Sequence, residues 1–484
     1  MFKTLANAWK IKDLRNKILF TIMIILLYRI GAAITVPFVD ANIISNNIVT
    51  GDNGIYSLLS TLSSGFENGS LFALGVSPYI TASIVIQLLS VAVPALERLA
   101  KQGEEGKKKI TVITRYITVG ISLITAVGYY FMIRSALTVD KWYTAFVIIA
   151  CFCAGSALVM WLAERINERG IGNGISIILF ANIVSRGITV LMDFWYKVET
   201  IIDGDPYAND TIAQIYRQIG QGNESLMETY GDMYPGLFGA TGWAYRIPSI
   251  IVLAVTIIGI LALIWFVIYI SDSERRIPVQ YAKKVVGRKM YGGRNTNLPL
   301  KVNMAGVMPV IFASAILSLP AMILGFIGPE EGTFWHSFYE FVSPNTWFYA
   351  LLTFIMILAF AYFYVAISFN PVEVANNLQQ NGGSIPGIRP GKPTSMYIKK
   401  VLSKVTFIGA ISLSIVAVVP VVLYVILNAV GGWTGLPGLM GYHSMIGEFV
   451  NSGTSIIIVV GVILETVRDL ESQMTMRHYK GFLD

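Results

Sequence analysis

Residues Tyr56–Pro94 read YSLLSTLSSGFENGSLFALGVSPYITASIVIQLLSVAVP, and this stretch decides the fold. Its first part, Tyr56 to Phe66, is only half apolar and falls far short of the ~20 residues that cross a bilayer. It cannot span. Past the break at Gly65-Phe66-Glu67-Asn68-Gly69, an apolar run from Leu71 to Val93 is long enough to do so. The pattern predicts a short helix followed by a full one. Lipid cannot satisfy free N–H and C=O groups, so irregular backbone survives at membrane depth only inside protein or beside a water-filled cavity. A cavity is expected here.

Composition agrees with a membrane setting. Of 484 residues, 54% are hydrophobic and 13% charged, too apolar a balance for an ordinary soluble domain. The first apolar run, Ile18 to Val36, follows a basic stretch but lacks a small-residue cleavage site and precedes many further runs, so it is read as a retained helix. Cys151 and Cys153 are the only cysteines. Two residues apart on a helix they face different ways, so neither a disulfide nor a metal site is expected.

Apolar windows fall near 18–36, 71–94, 112–134, 143–163, 174–192, 248–270, 304–327, 346–369, 405–427 and 453–468. They predict an all-α polytopic membrane protein with ten transmembrane helices. With a cytoplasmic N-terminus, only Arg134, Lys141, Arg186, Lys197, Arg217 and Arg246 lie outside. Arg29 lies within the first helix, and the remaining 29 of the 36 Lys and Arg lie inside. That asymmetry follows the positive-inside rule and puts both termini in the cytoplasm.

Two basic inside segments, 271–303 and 370–404, are long, carry glycine and proline and are read as loops. Their charge has an ordinary topogenic reading and a functional one, a docking face for an anionic or large cytoplasmic partner. The longest non-spanning segment, 193–247, is acid-rich. Within it Ile212, Ile215, Tyr216 and Ile219 keep helical spacing behind Asp210, which predicts an amphipathic helix on the outer surface.

The chain also repeats itself. Gly75-Val-Ser-Pro78-Tyr-Ile80-Thr-Ala82-Ser83 and Gly306-Val-Met-Pro309-Val-Ile311-Phe-Ala313-Ser314 both read G-V-x-P-x-I-x-A-S. They fall in the second and seventh windows, an odd number of spans apart, so equivalent segments run in opposite directions. An inverted repeat of two five-helix halves follows, 1–192 and 248–484 with 193–247 inserted between them, and a working site at their interface.

Ionisable residues at depth, which proton-coupled transport or intramembrane catalysis needs, are nearly absent. Arg29 and Glu465 are the exceptions. His336, His443 and His478 lie outside the windows, and no nucleotide-binding loop is present. No cofactor, no metal and no enzymatic activity are expected. What remains at depth is aliphatic: Ile80 and Ile84 four apart, Leu179 and Ile183 four apart, Ile311 and Ile458 in similar runs. Taken singly, each fits ordinary core or lipid-facing packing.

Five segments together resemble one family. They are ALGVSPYITASIVIQLL from Ala73, ERGIGNGISII from Glu168, LPLKVNMAGVMP from Leu298, FNP at Phe369 and GIRPG from Gly387, and they resemble the SecY family, the channel subunit of the bacterial Sec translocon. The resemblance covers nearly the whole chain in order. It implies two halves clasping an hourglass pore in the bacterial plasma membrane, with a lateral gate between helices two and three and helices seven and eight. It implies a plug helix from about Ile55 to Phe66, with Ser57, Leu58, Leu59, Leu62 and Phe66 as plug residues. It places a pore ring on Ile80, Ile84, Leu179, Ile183, Ile311 and Ile458, where Leu179 stands in place of the usual isoleucine.

By the same resemblance the basic segments dock the ribosome and the motor ATPase SecA, through Arg275 and Arg276 in the first and Arg389 in the second. The small subunits SecE and SecG are implied as partners, with preprotein signal sequences, membrane lipid and further copies of the chain. The outer segment 193–247 is larger than the family leads one to expect. A protein-conducting channel is the leading function; a secondary transporter of a small solute is the alternative, favoured by the inverted repeat and weakened by the lack of midplane acids. A membrane-embedded protease ranks last, since no nucleophile at depth has an activating base at a usable spacing.

Overall fold

The computed structural model describes residues 7–41, 43–44, 65, 69–100, 102–139, 141–185, 187, 243–281, 284–286, 289–291, 295–327, 333–342, 346–434 and 443–480. The plug residues Ser57, Leu58, Leu59, Leu62 and Phe66 lie outside the described residues. So do most of 193–247 and its expected amphipathic helix.

Every apolar window holds a helix. The first five windows correspond to α1 (Lys12–Ala33), α2 (Ser77–Ala92), α4 (Glu104–Met132), α5 (Trp142–Arg169) and α6 (Gly174–Ser185). The last five correspond to α7 (Trp243–Asp272), α8 (Met308–Ile327), α10 (Trp347–Ser368), α12 (Lys392–Thr434) and α13 (His443–Lys480). Short helices outside the windows include α3 (Pro94–Ala100), α9 (Phe334–Val342) and α11 (Pro371–Gln380). Among the described residues, five helices are long and apolar enough to cross a bilayer singly. A sixth span arises if α2 and α3 are one, although they bend by 104° at Val93-Pro94. Proline there lacks the N–H that would continue the ladder of α2.

The described helices expose many large apolar side chains. On α1, Leu14, Thr21, Ile24 and Tyr28 are buried, while Ile22, Met23, Leu26 and Ile30 are exposed. A helix apolar on all sides belongs in lipid. Within the bundle α1 packs on α5, α4 on α2 and α5, α10 on α8 and α12, and α13 on α7 and α12. The two sets of helices meet where α8 packs on α2 and α4.

The repeated sequence folds the same way twice. Gly75 and Gly306 both hold left-handed backbone, with φ of 54° and 63°, a conformation that glycine adopts without steric cost. Val76 O then accepts from the Tyr79 and Ile80 N–H groups, both at 3.0 Å. Its counterpart Val307 O accepts from the Val310 and Ile311 N–H groups at 3.1 and 3.2 Å. Pro78 and Pro309 occupy the first turns, where the missing N–H has no partner to lose. The second window begins at 71, but the helix waits until Ser77 because the left-handed glycine must come first.

The segments 271–303 and 370–404, read as loops, are a folded module. Strands β1 (Glu274–Tyr281) and β4 (Asn295–Lys301) pair antiparallel from Glu274↔Lys301 to Gln280↔Asn295. The far edge of β1 takes β5 (Gly383–Ser384) from the second segment, in the order β4-β1-β5. A separate hairpin joins β2 (Lys284–Val286) to β3 (Lys289–Tyr291). Ile277 and Val279 alternate inward from β1 and meet Leu300, Ile385 and Ile398 in a core of their own. Of the motif FNP, Asn370 caps α11: its side chain accepts from the Val372 and Glu373 N–H groups at 3.1 and 3.4 Å, and Pro371 opens the helix.

Candidate functional site

Four helices deliver the aliphatic residues singled out in the sequence to one place. Ile80 and Ile84 come from α2, Leu179 and Ile183 from α6, Ile311 from α8 and Ile458 from α13. The first turns set by Gly75 and Gly306 bring Ile80 and Ile311 into equivalent positions of the two repeats. Ile80, Ile84, Leu179, Ile311 and Ile458 are all at most 3% exposed and belong to one apolar cluster. Ile183 packs against it half-buried. The cluster draws on both sets of helices, adding Tyr28, Phe72, Val159 and Ile178 from the first and Val307, Phe312, Ile357 and Val416 from the second.

All six are aliphatic. The buried apolar cluster they share is the waist between the two sets of helices, and narrow apolar constrictions exclude ions by dewetting. Phe312 meets Phe360 edge-on with ring centroids 6.0 Å apart, binding α8 to α10 beside the waist.

Charged groups near the cluster are occupied in holding helices together. Arg29 on α1 donates to the Ala181 carbonyl of α6, between Leu179 and Ile183. Arg115 on α4 meets the buried Glu164 on α5 with two contacts, Nε to Oε1 at 2.9 Å and Nη2 to Oε2 at 2.7 Å. Such a fork-to-fork pair satisfies a buried carboxylate directionally. Glu465 is exposed. Among the described residues, no group of His, Cys, Asp and Glu is arranged to hold a metal ion.

The second candidate surface is the module beyond the membrane helices. Arg275 and Arg276 are exposed on β1, opposite Leu300 and Pro299 of β4, and Arg276 Nε lies 2.6 Å from Glu274 Oε1. Arg389 is exposed in a turn flanked by Gly387 and Gly391, and its carbonyl accepts from Thr394 Oγ1 at 2.8 Å. The pairing of β1 with β5 puts these arginines on one folded body. Sequence reading placed them in separate loops and missed that junction. The inward alternation of Ile277, Val279 and Tyr281 is the signal that would have found β1.

Comparison with known proteins fits this architecture. The family model described as SecY matches residues 70–467. Protein translocase subunit SecY of Streptomyces galbus is 38% identical over 500 residues, covering 100% of both chains. The solved structure described as "The structure of a protein conducting channel" superposes with a TM-score of 0.56 at 17% identity, covering 95% of this chain and 92% of that one. Sec61 in the canine ribosome-channel complex gives 0.54 at 17% identity over the same shares. These relatives are protein translocase subunits and channels, which sets the solute-transporter alternative aside. A family match across most of the sequence, joined to end-to-end identity with a translocase subunit, makes this chain a member of the SecY family.

Proposed function

We propose that the chain is a passive protein-conducting channel that passes signal-bearing unfolded polypeptides across a bacterial plasma membrane and releases transmembrane segments sideways into lipid. The observation that supports this reading is the waist, one buried apolar cluster to which six aliphatic side chains from four helices contribute. An unfolded polypeptide presents every kind of side chain. A constriction offering charges or directional hydrogen bonds would hold some sequences and stall, whereas aliphatic side chains hold none strongly.

Ile80, Ile84, Leu179, Ile183, Ile311 and Ile458 form the pore ring in this reading, and Ser57, Leu58, Leu59, Leu62 and Phe66 the plug. The halves 1–192 and 248–484 part at the lateral gate, where α8 now packs on α2 and α4. Partition energetics support such a gate. Apolar segments gain about 25 cal/mol per Å² on leaving water for lipid, while a charge near the bilayer centre costs ~2.5–3.5 kcal/mol on insertion scales.

The chain performs no bond chemistry of its own in this proposal, and energy comes from partners or the proton-motive force. SecE and SecG complete the complex, while SecA and the ribosome dock on the module through Arg275, Arg276 and Arg389. The ribosome-channel complex formed by the canine relative supports that assignment. The distribution of Lys and Arg supports cytoplasmic termini.

The test is reconstitution of the complex into proteoliposomes with SecA, ATP and a signal-bearing preprotein. The preprotein is expected to become protected inside, and a stalled substrate to crosslink to Ile84→Cys or Ile183→Cys. Solute uptake without preprotein transport overturns the proposal.

A further inference from the structure

The end of the motif ERGIGNGISII joins the waist through Ile177 and Ile178, but its loop, residues 170–174, lies outside both the waist and the docking face and is held largely by side chains. The Ile171 N–H donates to Thr21 Oγ1 of α1 at 3.2 Å, the Gly172 N–H to Asp469 Oδ2 of α13 at 3.1 Å, and the Gly174 N–H to Asn167 Oδ1 at 2.7 Å. Gly172 has φ of 73°, and a Cβ there would lie 3.1 Å from Thr466 Oγ1. Glycine is what lets this loop press against α13.

The contact continues as a chain of hydrogen bonds. Asp469 Oδ2 also accepts from Gln473 Nε2 at 3.1 Å, and Gln473 Oε1 accepts from Lys17 Nζ of α1 at 3.0 Å. Beside them Leu470 is buried with Ile171, Leu14 and Ala8. Thr466, Asp469, Leu470 and Gln473 keep the spacing of one helical face, and this face of α13 is turned to the first set of helices. The opposite face belongs to the second set, since Arg468 donates to the Ser271 carbonyl and to Asp272 Oδ1 at the end of α7.

This two-sided tie sits at a particular place relative to the waist. Helix α6 starts directly after the loop, and Ile183 lies eleven residues beyond Gly172. On α13, Ile458 lies eleven residues before Asp469. At about 1.5 Å of rise per helical residue, both ring positions stand roughly 16 Å along their helices from the tie. A shift or rotation at the tie is carried along two stiff helices to the waist.

We infer that the contact of Asp469 with the Gly172 N–H is a positioning contact that sets the register of α6 against α13 and thereby holds Leu179 and Ile183 closed on Ile458. The inference rests on the channel reading of the waist. Asp469 is a positioning residue: it acts on the ring through two helices and touches nothing that passes through the channel. Asparagine keeps a side-chain carbonyl as acceptor, whereas alanine leaves the Gly172 N–H without one.

The test uses the complete complex in proteoliposomes. Asp469→Ala is expected to raise idle ion conductance several-fold and to let a preprotein with a weakened signal sequence pass, while the protein accumulates normally in the membrane. Asp469→Asn is expected to restore both toward the unaltered level. A direct readout of register comes from thiol crosslinking between Ile183→Cys and Ile458→Cys in a chain whose Cys151 and Cys153 are replaced by serine. Asp469→Ala should slow that crosslinking several-fold and Asp469→Asn should not.

Unchanged conductance, signal stringency and crosslinking in Asp469→Ala overturn the inference. If the unaltered complex passes no preprotein, the channel reading is what fails, and the crosslinking comparison still decides the register. Should Asp469→Ala fail to accumulate, Gly172→Ala, strained at its left-handed backbone, carries the same expectations.

Discussion

The waist and the strand module are both built from residues far apart in sequence, yet they differ in almost every physical respect. The waist gathers aliphatic side chains from both repeats, and no hydrogen bond among those six side chains is possible. The module belongs to the second repeat alone, closes an antiparallel sheet over a small core, and leaves arginines exposed on its surface. In the proposed channel, a surface that must let go of anything is made of groups that hold nothing directionally. One that is proposed to dock a partner in a fixed orientation is made of charges on a folded frame.

The largest expected effect tests the module's half of that contrast. Arg389→Glu should reduce SecA-driven export by on the order of tenfold or more, because like charges juxtaposed at an interface cost about several kcal/mol. Idle conductance and membrane accumulation should stay level, measured on the same proteoliposomes. An equal fall in export and accumulation would instead make Arg389 a structural residue.

Next in size is the waist. Ile311→Asn or Ile458→Asn puts an amide into a buried apolar cluster, where an unsatisfied group costs ~1–3 kcal/mol. Idle conductance should rise roughly tenfold or signal stringency should relax, with SecA binding unaffected. Single-channel recording checks this, and silence in both variants would remove these positions from the pore.

A core substitution in the module should separate the two regions most cleanly. Ile277→Ala, at a residue only 2% exposed, should destabilise the sheet by about 2–5 kcal/mol. Hydrogen exchange in β1 and β4 should speed up and SecA-dependent export should fall, while the idle channel stays sealed. Smallest is the cap. Asn370→Ala should cost ~1 kcal/mol, visible as faster exchange at the start of α11 and little else.

Much of the bundle was legible because a bilayer demands long apolar runs, and each of the ten windows holds a helix. The repeat was legible for a related reason: Gly75 and Gly306 are needed for the same left-handed turn, so the pattern survives in both copies. Helix ends were less so. The window at 405–427 belongs to a helix running from Lys392 to Thr434, because backbone hydrogen bonding continues through polar residues that hydropathy does not register. The module was hidden by its construction. A two-residue strand such as Gly383–Ser384 has no periodicity to detect, and its partner lies about a hundred residues earlier in the chain. Nor does hydropathy reveal the tie at Asp469, whose partner is a peptide N–H and therefore leaves no mark in the side-chain pattern.

The bridge from Gln280 and Tyr281 to Ser384 and Gly383 governs how force enters the membrane. One bridged segment connects α7 to α8, and the other connects α10 to α12. A load applied to either segment passes through the chain directly into four membrane helices of the second repeat. It reaches the first repeat only through packing of α8 on α2 and α4 and through the tie at α13.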